Sequence, residues 1–169
     1  MTDTDHVRLR TPTVADGPAL WQMAVDSAAL DVNSPYSYLL WCRDFAATSV
    51  VAEVGGEPGG FVTGYRRPEQ PQTLMVWQVA VNAAHRGAGL AGRMLDHLVR
   101  AQAIDGVTHV ETSITPDNEA SRRLFGAFAR RWEAPLEYSE LFGAGLFPES
   151  HLAEELFRIG PLGVSARRH

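Results

Sequence analysis

Hydrophobic and polar positions change period several times along this chain, and each change predicts an element. HVRLRT (6–11) alternates, as a short first strand does. Leu20, Trp21, Ala24, Val25 and Ala28 then recur at helical spacing, with Thr13 placed to cap the helix and Asp16 echoing a capping box. LDVNSPYSY (30–38) breaks the period with Asp, Asn, Ser and Pro and reads as a loop. A second helix is predicted over roughly Tyr36 to Ala46, carrying Tyr38, Leu39, Trp41 and Cys42. TSVVAEV (48–54) and GFVTGYRR (60–67) are strands joined by the hairpin signal GGEPGG, and TLMVWQVAV (73–81) is the longest strand. A helix is predicted from about Gly89 to Ile104, then a strand VTHVETSI (107–114). TPDNEASRRLFGAFARR (115–131) opens on a turn and becomes a helix. LEYSELF (136–142) and EELFRIG (154–160) read as a closing antiparallel pair separated by GAGLFPESH.

The predicted order is β-α-α-β-β-β-α-β-α-β-β: an α/β (α+β) fold with a mixed sheet and helices on both faces. No internal repeat or linker interrupts it. One domain is expected over residues 1–160, with 161–169 as a flexible tail.

Composition narrows the function. A length of 169 residues suits one domain with a real core, and 45% hydrophobic with 21% charged residues is ordinary for a soluble protein. The net charge of -5 argues against general nucleic-acid binding. No apolar run could span a bilayer, and MTDTDHVRLR lacks the apolar core of a signal peptide. With one cysteine, Cys42, there is no internal disulfide framework. A cytoplasmic location is expected. All basic residues are arginine, so neither a Schiff-base lysine nor a P-loop lysine is available.

The informative stretch is VWQVAVNAAHRGAGLAGRML (76–95): an apolar strand, a short polar turn, an arginine with glycines, and an amphipathic helix. A helix N-terminus presents unpaired N–H groups and the positive end of its dipole, and glycines there let a phosphate approach the backbone. Arg86, Gly87 and Gly89 therefore form a candidate pyrophosphate turn. The turn lacks Gly-Lys-Ser/Thr, so it is not a Walker A loop, and its mid-chain position does not suit the dinucleotide fingerprint. A glycine-rich strand–helix turn without a ligand is the plainer reading.

VAV followed by RGAGLA resembles the acetyl-CoA signature of the GNAT N-acetyltransferases, Arg/Gln-x-x-Gly-x-Gly/Ala, carried here by Arg86, Gly89 and Ala91. NEASRRLFGAF (118–128) resembles that family's Asn-led helix, and the element order matches over nearly the whole chain. The resemblance implies a GNAT-like acyl-CoA N-acyltransferase fold with acetyl-CoA as cofactor. It further implies that the backbone of Arg86, Gly87, Ala88, Gly89, Leu90 and Ala91 holds the pyrophosphate. Val79, Ala80 and Val81 would pair with the pantetheine as an added strand would. Asn118 would bond the cofactor arm, with Arg122 and Arg123 as candidates for the nucleotide phosphates. More narrowly, LDVNSPYSYLLWCRDF, VWQVAV with RGAGLA, ETSITPDN and LFPESH with EELFRIG resemble the diaminobutyrate acetyltransferases of ectoine synthesis, which acetylate the γ-amine of L-2,4-diaminobutyrate.

The chemistry requires an unprotonated amine, a polarised thioester and an exit for the thiolate. Cys42 reads as a buried, inert thiol, so direct attack in a ternary complex is expected, with backbone N–H groups near Val79 stabilising the oxyanion. Many family members protonate the thiolate with a tyrosine on the helix after the Asn. Phe125 stands there, so Tyr36, Tyr38 or water must serve, or the thiolate leaves unassisted. The strand 73–81 holds no carboxylate base; Glu111 and His151 are the replacements. The plainer alternatives are a strand residue facing water for Glu111, a cap for His151, and simple turn residues for Asp31 and Asn33, although a loop of that composition at this place favours substrate contact. The catalytic candidates are Glu111, Asp31, His151 and Tyr38. The acceptor-binding candidates are Asp31, Asn33, Trp77, Gln78, Glu111 and His151. No metal is expected. A small-molecule amine is the expected partner, nucleic acid and membrane are not, and the apolar LFGAGLF (141–147) together with the resemblance suggests a homodimer. Another small-amine GNAT enzyme, or a non-catalytic acyl-CoA-binding domain, are the competing readings.

Overall fold

The computed structural model describes residues 6–163. Its strands are β1 (Val7–Arg10), β2 (Val50–Val54), β3 (Glu57–Arg67), β4 (Gln70–Val81), β5 (His109–Ile114), β6 (Leu136–Phe142) and β7 (Glu154–Ile159). Four α-helices lie among the described residues: α1 (Gly17–Asp26), α2 (Pro35–Asp44), α3 (Leu90–Ile104) and α4 (Glu119–Arg131). The predicted order is the observed order, and LEYSELF forms β6 as expected.

The strands form one seven-stranded mixed sheet ordered β1-β2-β3-β4-β5-β7-β6. β4 and β5 run parallel, whereas β1–β2, β2–β3, β5–β7 and β6–β7 are antiparallel. The chain divides into two compact units. The first runs through Tyr65 and includes Trp77–Leu98; the second holds Arg66–Val76 and the chain from Val99 on.

In the first unit, Leu20, Met23, Ala24, Tyr38, Cys42, Val51, Phe61 and Ala80 form the buried cluster. Of the positions read at helical spacing, α1 buries Leu20 and Ala24 and half-buries Trp21, with Met23 completing that face, whereas Val25 is 42% exposed and Ala28 is exposed beyond the end of the helix. A 3-10 turn (Val14–Asp16) precedes α1, and the Thr13 N–H donates to the Asp16 carboxylate at 2.7 Å, the reciprocal half of a capping box. Arg10 donates to both Asp16 oxygens, at 2.7 and 2.9 Å, and to Glu53 at 2.7 Å. That guanidinium bond holds the Asp16 carboxyl below its ordinary range, against the opposing effect of burial. Its contribution to stability is therefore present above the unfolded carboxyl pKa and is lost as pH falls through the lower folded value.

Several boundaries differ from expectation for identifiable reasons. The hairpin between β2 and β3 turns on Gly55 and Gly56 alone, at φ 58° and 86°, so Glu57, Pro58 and Gly59 belong to β3. Left-handed backbone at both positions suits glycine. α2 begins at Pro35 rather than Tyr36, with Ser34 as N-cap, because a proline at the first helical position sacrifices no hydrogen bond.

In the second unit, Val110, Phe125, Phe128, Trp132, Phe157 and Ile159 are buried, and the Phe128 and Trp132 rings lie 5.4 Å apart. Of the stretch expected to be a flexible tail from 161 on, the described residues 161–163 are held in place. Leu162 is buried and its N–H donates to the Thr108 carbonyl at 2.9 Å, while the Gly163 N–H donates to the Trp132 carbonyl at 2.9 Å. An apolar side chain with a place to bury and two satisfied amides anchor these residues; 164–169 lie outside the described residues. No helix among the described residues is long and apolar enough to cross a membrane.

Candidate active site

The parallel ladder between β4 and β5 runs from Thr73–His109 to Val76–Thr112 and, among the described residues, ends there. β4 continues through Trp77, Gln78, Val79, Ala80 and Val81. Beyond it, Asn82 caps a 3-10 turn (Ala83–His85) by accepting from the Ala84 N–H at 3.2 Å. The Arg86 side chain donates back to the Val81 carbonyl at 3.2 Å, which ties the turn to the strand end. Gly87 and Gly89 take φ of 85° and 74°, and a Cβ at either would meet nothing within 4 Å. These glycines are required by backbone conformation, not by crowding. Arg86, Gly87, Ala88 and Gly89 are exposed, and α3 then starts at Leu90 with no acidic residue in its first turn. An open turn, left-handed glycines and a helix start with no acidic side chain in its first turn fit a pyrophosphate.

In the same unit, Trp77 lies in the half-buried range and Trp41 of α2 stacks on it, with ring centroids 4.6 Å apart and planes at 8°. Sequence reasoning had no means to find that Trp41 backs Trp77. Gln78 is buried, and both ends of its amide are engaged. Its Nε2 donates to the Asp31 backbone carbonyl at 2.9 Å, and its Oε1 accepts from the Tyr38 hydroxyl at 3.0 Å. A backbone carbonyl can only accept, so the amide nitrogen must face Asp31 and the oxygen must face Tyr38. The Tyr38 proton is therefore in use. Tyr38 is also fully buried, which removes it from the candidates for general acid. Gln78 likewise has the partner that its burial demands. Asp31 is exposed, Asn33 is half-buried and donates from its amide to the Asp31 carbonyl at 3.4 Å. Tyr36 is 67% exposed. Burial pushes the Cys42 thiol up to about 11, so no thiolate is available for an acyl-enzyme at neutral pH.

The second unit gives Glu111 an occupation that alternation alone did not reveal. It neither faces water nor stands open: it is buried, and Arg158, its cross-strand partner on β7, donates to Oε2 at 2.5 Å. Arg67 approaches Oε1 at 3.7 Å, and Arg158 also reaches the Thr73 hydroxyl at 3.3 Å. Both carboxylate oxygens are thus turned to guanidiniums, an arrangement that ties β5 to β7 and to the end of β3. Glu111→Gln is accordingly expected to cost about 1.5–3 kcal/mol of stability, as loss of a charged hydrogen bond does, and to leave the pH profile of turnover unchanged. Thermal melts and pH–rate curves check both; a selective loss of turnover at low pH would restore Glu111 as the base.

His151 is half-buried, and its Nδ1 faces the Leu152 carbonyl at 2.5 Å. The carbonyl accepts, so Nδ1 carries the hydrogen and a neutral ring has its lone pair on Nε2. Phe147 stacks on the ring at 4.0 Å and 17°. A carboxylate oxygen of Glu154 lies within 4.8 Å of a His151 ring nitrogen. Glu154 was not singled out in the sequence, although LFPESH followed by EELF held the signal. Asn118 caps α4 by accepting from the Ser121 N–H at 3.1 Å, so what it can offer a ligand is its NH2 group. Arg122 is already engaged by other side chains. It donates to Glu155 at 2.9 Å and lies over the Phe157 ring at 5.1 Å and the Tyr138 ring at 5.9 Å. Arg123 is an exposed helix residue 3.7 Å from Glu119. Phe125 is buried, with no hydroxyl to give.

Comparison with known proteins places these features in a family. The pattern that defines the acetyltransferase (GNAT) family matches residues 18–129. The L-2,4-diaminobutyric acid acetyltransferase of Streptomyces avermitilis is 59% identical over 162 residues, covering 94% of this chain and 90% of that protein. The protein of the same name from Halalkalibacterium halodurans is 43% identical over 157 residues, covering 92% and 82%. The structure of diaminobutyrate acetyltransferase EctA from Paenibacillus lautus, in complex with its substrate L-2,4-diaminobutyric acid and coenzyme A, matches with a TM-score of 0.88 and 42% identity over 92% of this chain and 95% of that one. A strand that leaves its parallel neighbour at Val76, the left-handed glycine turn after it and relatives matching along almost the whole length lead to one conclusion: this chain belongs to the GNAT acetyltransferase family.

Proposed function

We propose that this protein transfers the acetyl group of acetyl-CoA to the γ-amine of L-2,4-diaminobutyrate, the acetylation step of ectoine synthesis. The observation that carries the reading is the match at 42% identity and TM-score 0.88 to a structure holding both that substrate and coenzyme A. Acetyl-CoA supplies the activated acetyl group. The chain's own residues do the rest, and the domain over 1–160 acts as one enzyme.

The N–H groups of the Arg86–Ala91 turn hold the pyrophosphate, Val79, Ala80 and Val81 offer backbone pairing to the pantetheine, and the Asn118 amide steadies the arm. Backbone N–H near Val79 donates to the thioester oxygen as it gains charge. Asp31 pairs with an ammonium of the acceptor, Asn33 and Trp77 contact it, and His151 receives the proton from the attacking nitrogen through Nε2. Glu154 beside His151 supports the imidazolium that results. Tyr38 provides no acid, and a thiolate, a weaker base than an alkoxide, leaves without one.

The protein works in the cytoplasm as a homodimer. Tyr138, Phe142, Leu146 and Leu152 are 61%, 47%, 71% and 50% exposed, all on β6 or the segment leading to β7, and support such an association. Sedimentation at micromolar concentration tests it. The function itself is tested with a panel of small amines and acetyl-CoA, following thiol release and product NMR. Diaminobutyrate is expected to exceed other amines in kcat/KM by about a hundredfold, an ordinary margin for a site that reads two charged groups, with acetyl on the γ-nitrogen. Equal use of unrelated amines, or α-acetylation, overturns the assignment.

A further inference from the structure

We propose that Gln78 is a positioning residue for the acceptor side of the site: its amide pins the backbone of Asp31 to β4, with the amide oxygen held by the Tyr38 hydroxyl. This rests on the reading that the Asp31 side chain pairs with the acceptor's ammonium.

The geometry points there in four steps. β4 loses its parallel partner after Val76, so the next residues cannot rely on that ladder to hold their neighbours in place. Gln78, two residues on, is buried at 5% exposure in an otherwise apolar stretch, a placement that costs free energy unless every polar end is matched. Both ends are matched, and by groups from two other segments: the Asp31 carbonyl at 2.9 Å and the Tyr38 hydroxyl at 3.0 Å. The amide has one workable orientation, because the carbonyl excludes the reverse. Finally, the Gln78 backbone is itself held, its N–H donating to the Thr63 hydroxyl at 3.3 Å and its carbonyl lying 3.4 Å from the same oxygen.

The consequence is a rigid link from the strand that carries Val79 to the loop that carries Asp31. Asp31 lies in the segment between α1 and α2, which has no ladder of its own. Its carboxylate is placed by its backbone, and its backbone by Gln78. Tyr38 acts one step further back: its hydroxyl donates to the amide oxygen and holds the amide in the orientation that the Asp31 carbonyl dictates. Neither residue then needs to touch the acceptor.

The test is a set of kinetic comparisons on the full-length protein. Gln78→Met keeps length and apolar volume but removes both hydrogen bonds. It is expected to raise KM for diaminobutyrate about tenfold, the effect of about one well-made hydrogen bond, with kcat and the KM for acetyl-CoA within about twofold. Tyr38→Phe is expected to act in the same direction with a smaller effect. In an Asp31→Asn background, Gln78→Met should add little, because its effect runs through the lost carboxylate. Full additivity overturns the proposal. So does a Tyr38→Phe variant that lowers kcat and leaves both KM values alone, since that is the mark of a proton donor. If Gln78→Met fails to fold, Tyr38→Phe alone and in the Asp31→Asn background carries the comparison. A large effect of Asp31→Asn with a silent Gln78→Met overturns this proposal and spares the reading of Asp31. A silent Asp31→Asn overturns both.

Discussion

Gly89→Val is expected to lower the affinity for coenzyme A by a hundredfold or more while the protein still folds. Gly89 sits at φ 74° with nothing within 4 Å of where a Cβ would stand. The obstacle is thus not crowding but backbone conformation, which a β-branched residue adopts only at a cost of about 1–3 kcal/mol. The exposed turn has room to relieve that strain by changing shape. Doing so moves the first N–H groups of α3 away from the positions a pyrophosphate uses. Hydrogen bonds to charged groups contribute about 1.5–3 kcal/mol each, and two lost bonds exceed the roughly 2.7 kcal/mol that separates a hundredfold in affinity. The core behind the turn, where Leu90, Met94 and Leu95 are buried, is not touched. Calorimetric titration with coenzyme A, alongside a thermal melt, reads both parts. A variant that binds within a few-fold of the parent shows that this turn does not hold the phosphates.

Asp31→Asn is expected to raise KM for diaminobutyrate about thirtyfold and to leave the KM for acetyl-CoA nearly unchanged. At neutral pH the acceptor carries two ammoniums and one carboxylate. The α-nitrogen stands beside the carboxylate and the γ-nitrogen stands alone at the far end, so a site that holds the amino-acid head by charge presents the distal amine. An exposed ion pair contributes little in water, but once the ligand covers it a loss of about 2 kcal/mol, or thirtyfold, is reasonable. Steady-state kinetics against each substrate, with product NMR for the acetyl position, decides it. An unchanged KM for diaminobutyrate removes Asp31 from the acceptor site.

What could be read in advance was whatever depends on near neighbours in the chain. The strand–helix alternation, the RGAGLA turn and the closing pair of strands follow from local period and local turn chemistry. Even the start of α2 at Pro35 was available from Ser34 and the preference of proline for the first helical position. What escaped depends on register and on hydrogen-bond direction. Glu111 looked like a site carboxylate until its pairing with Arg158, 47 residues away in sequence, placed a guanidinium on it. Tyr38 looked like a spare acid until the Asp31 carbonyl settled which way the Gln78 amide must point. Arg122 looked like a phosphate ligand until Glu155 and two aromatic rings claimed it. In each case the residue type suited chemistry, and the partner that occupies it comes from a distant part of the chain.

The end of the β4–β5 ladder at Val76 has a consequence for how long the protein survives as well as for how it reacts. A strand that continues without its parallel partner is an edge, and edges invite pairing with foreign chains. When the ligand that completes such an edge binds only the folded state, its concentration adds to folding stability by mass action, about 2.7 kcal/mol at a hundred times its dissociation constant. The coenzyme pool would then act as a chaperone for this enzyme: amide exchange along Trp77–Val81 should slow, and the onset of aggregation on heating should rise, in step with free coenzyme A.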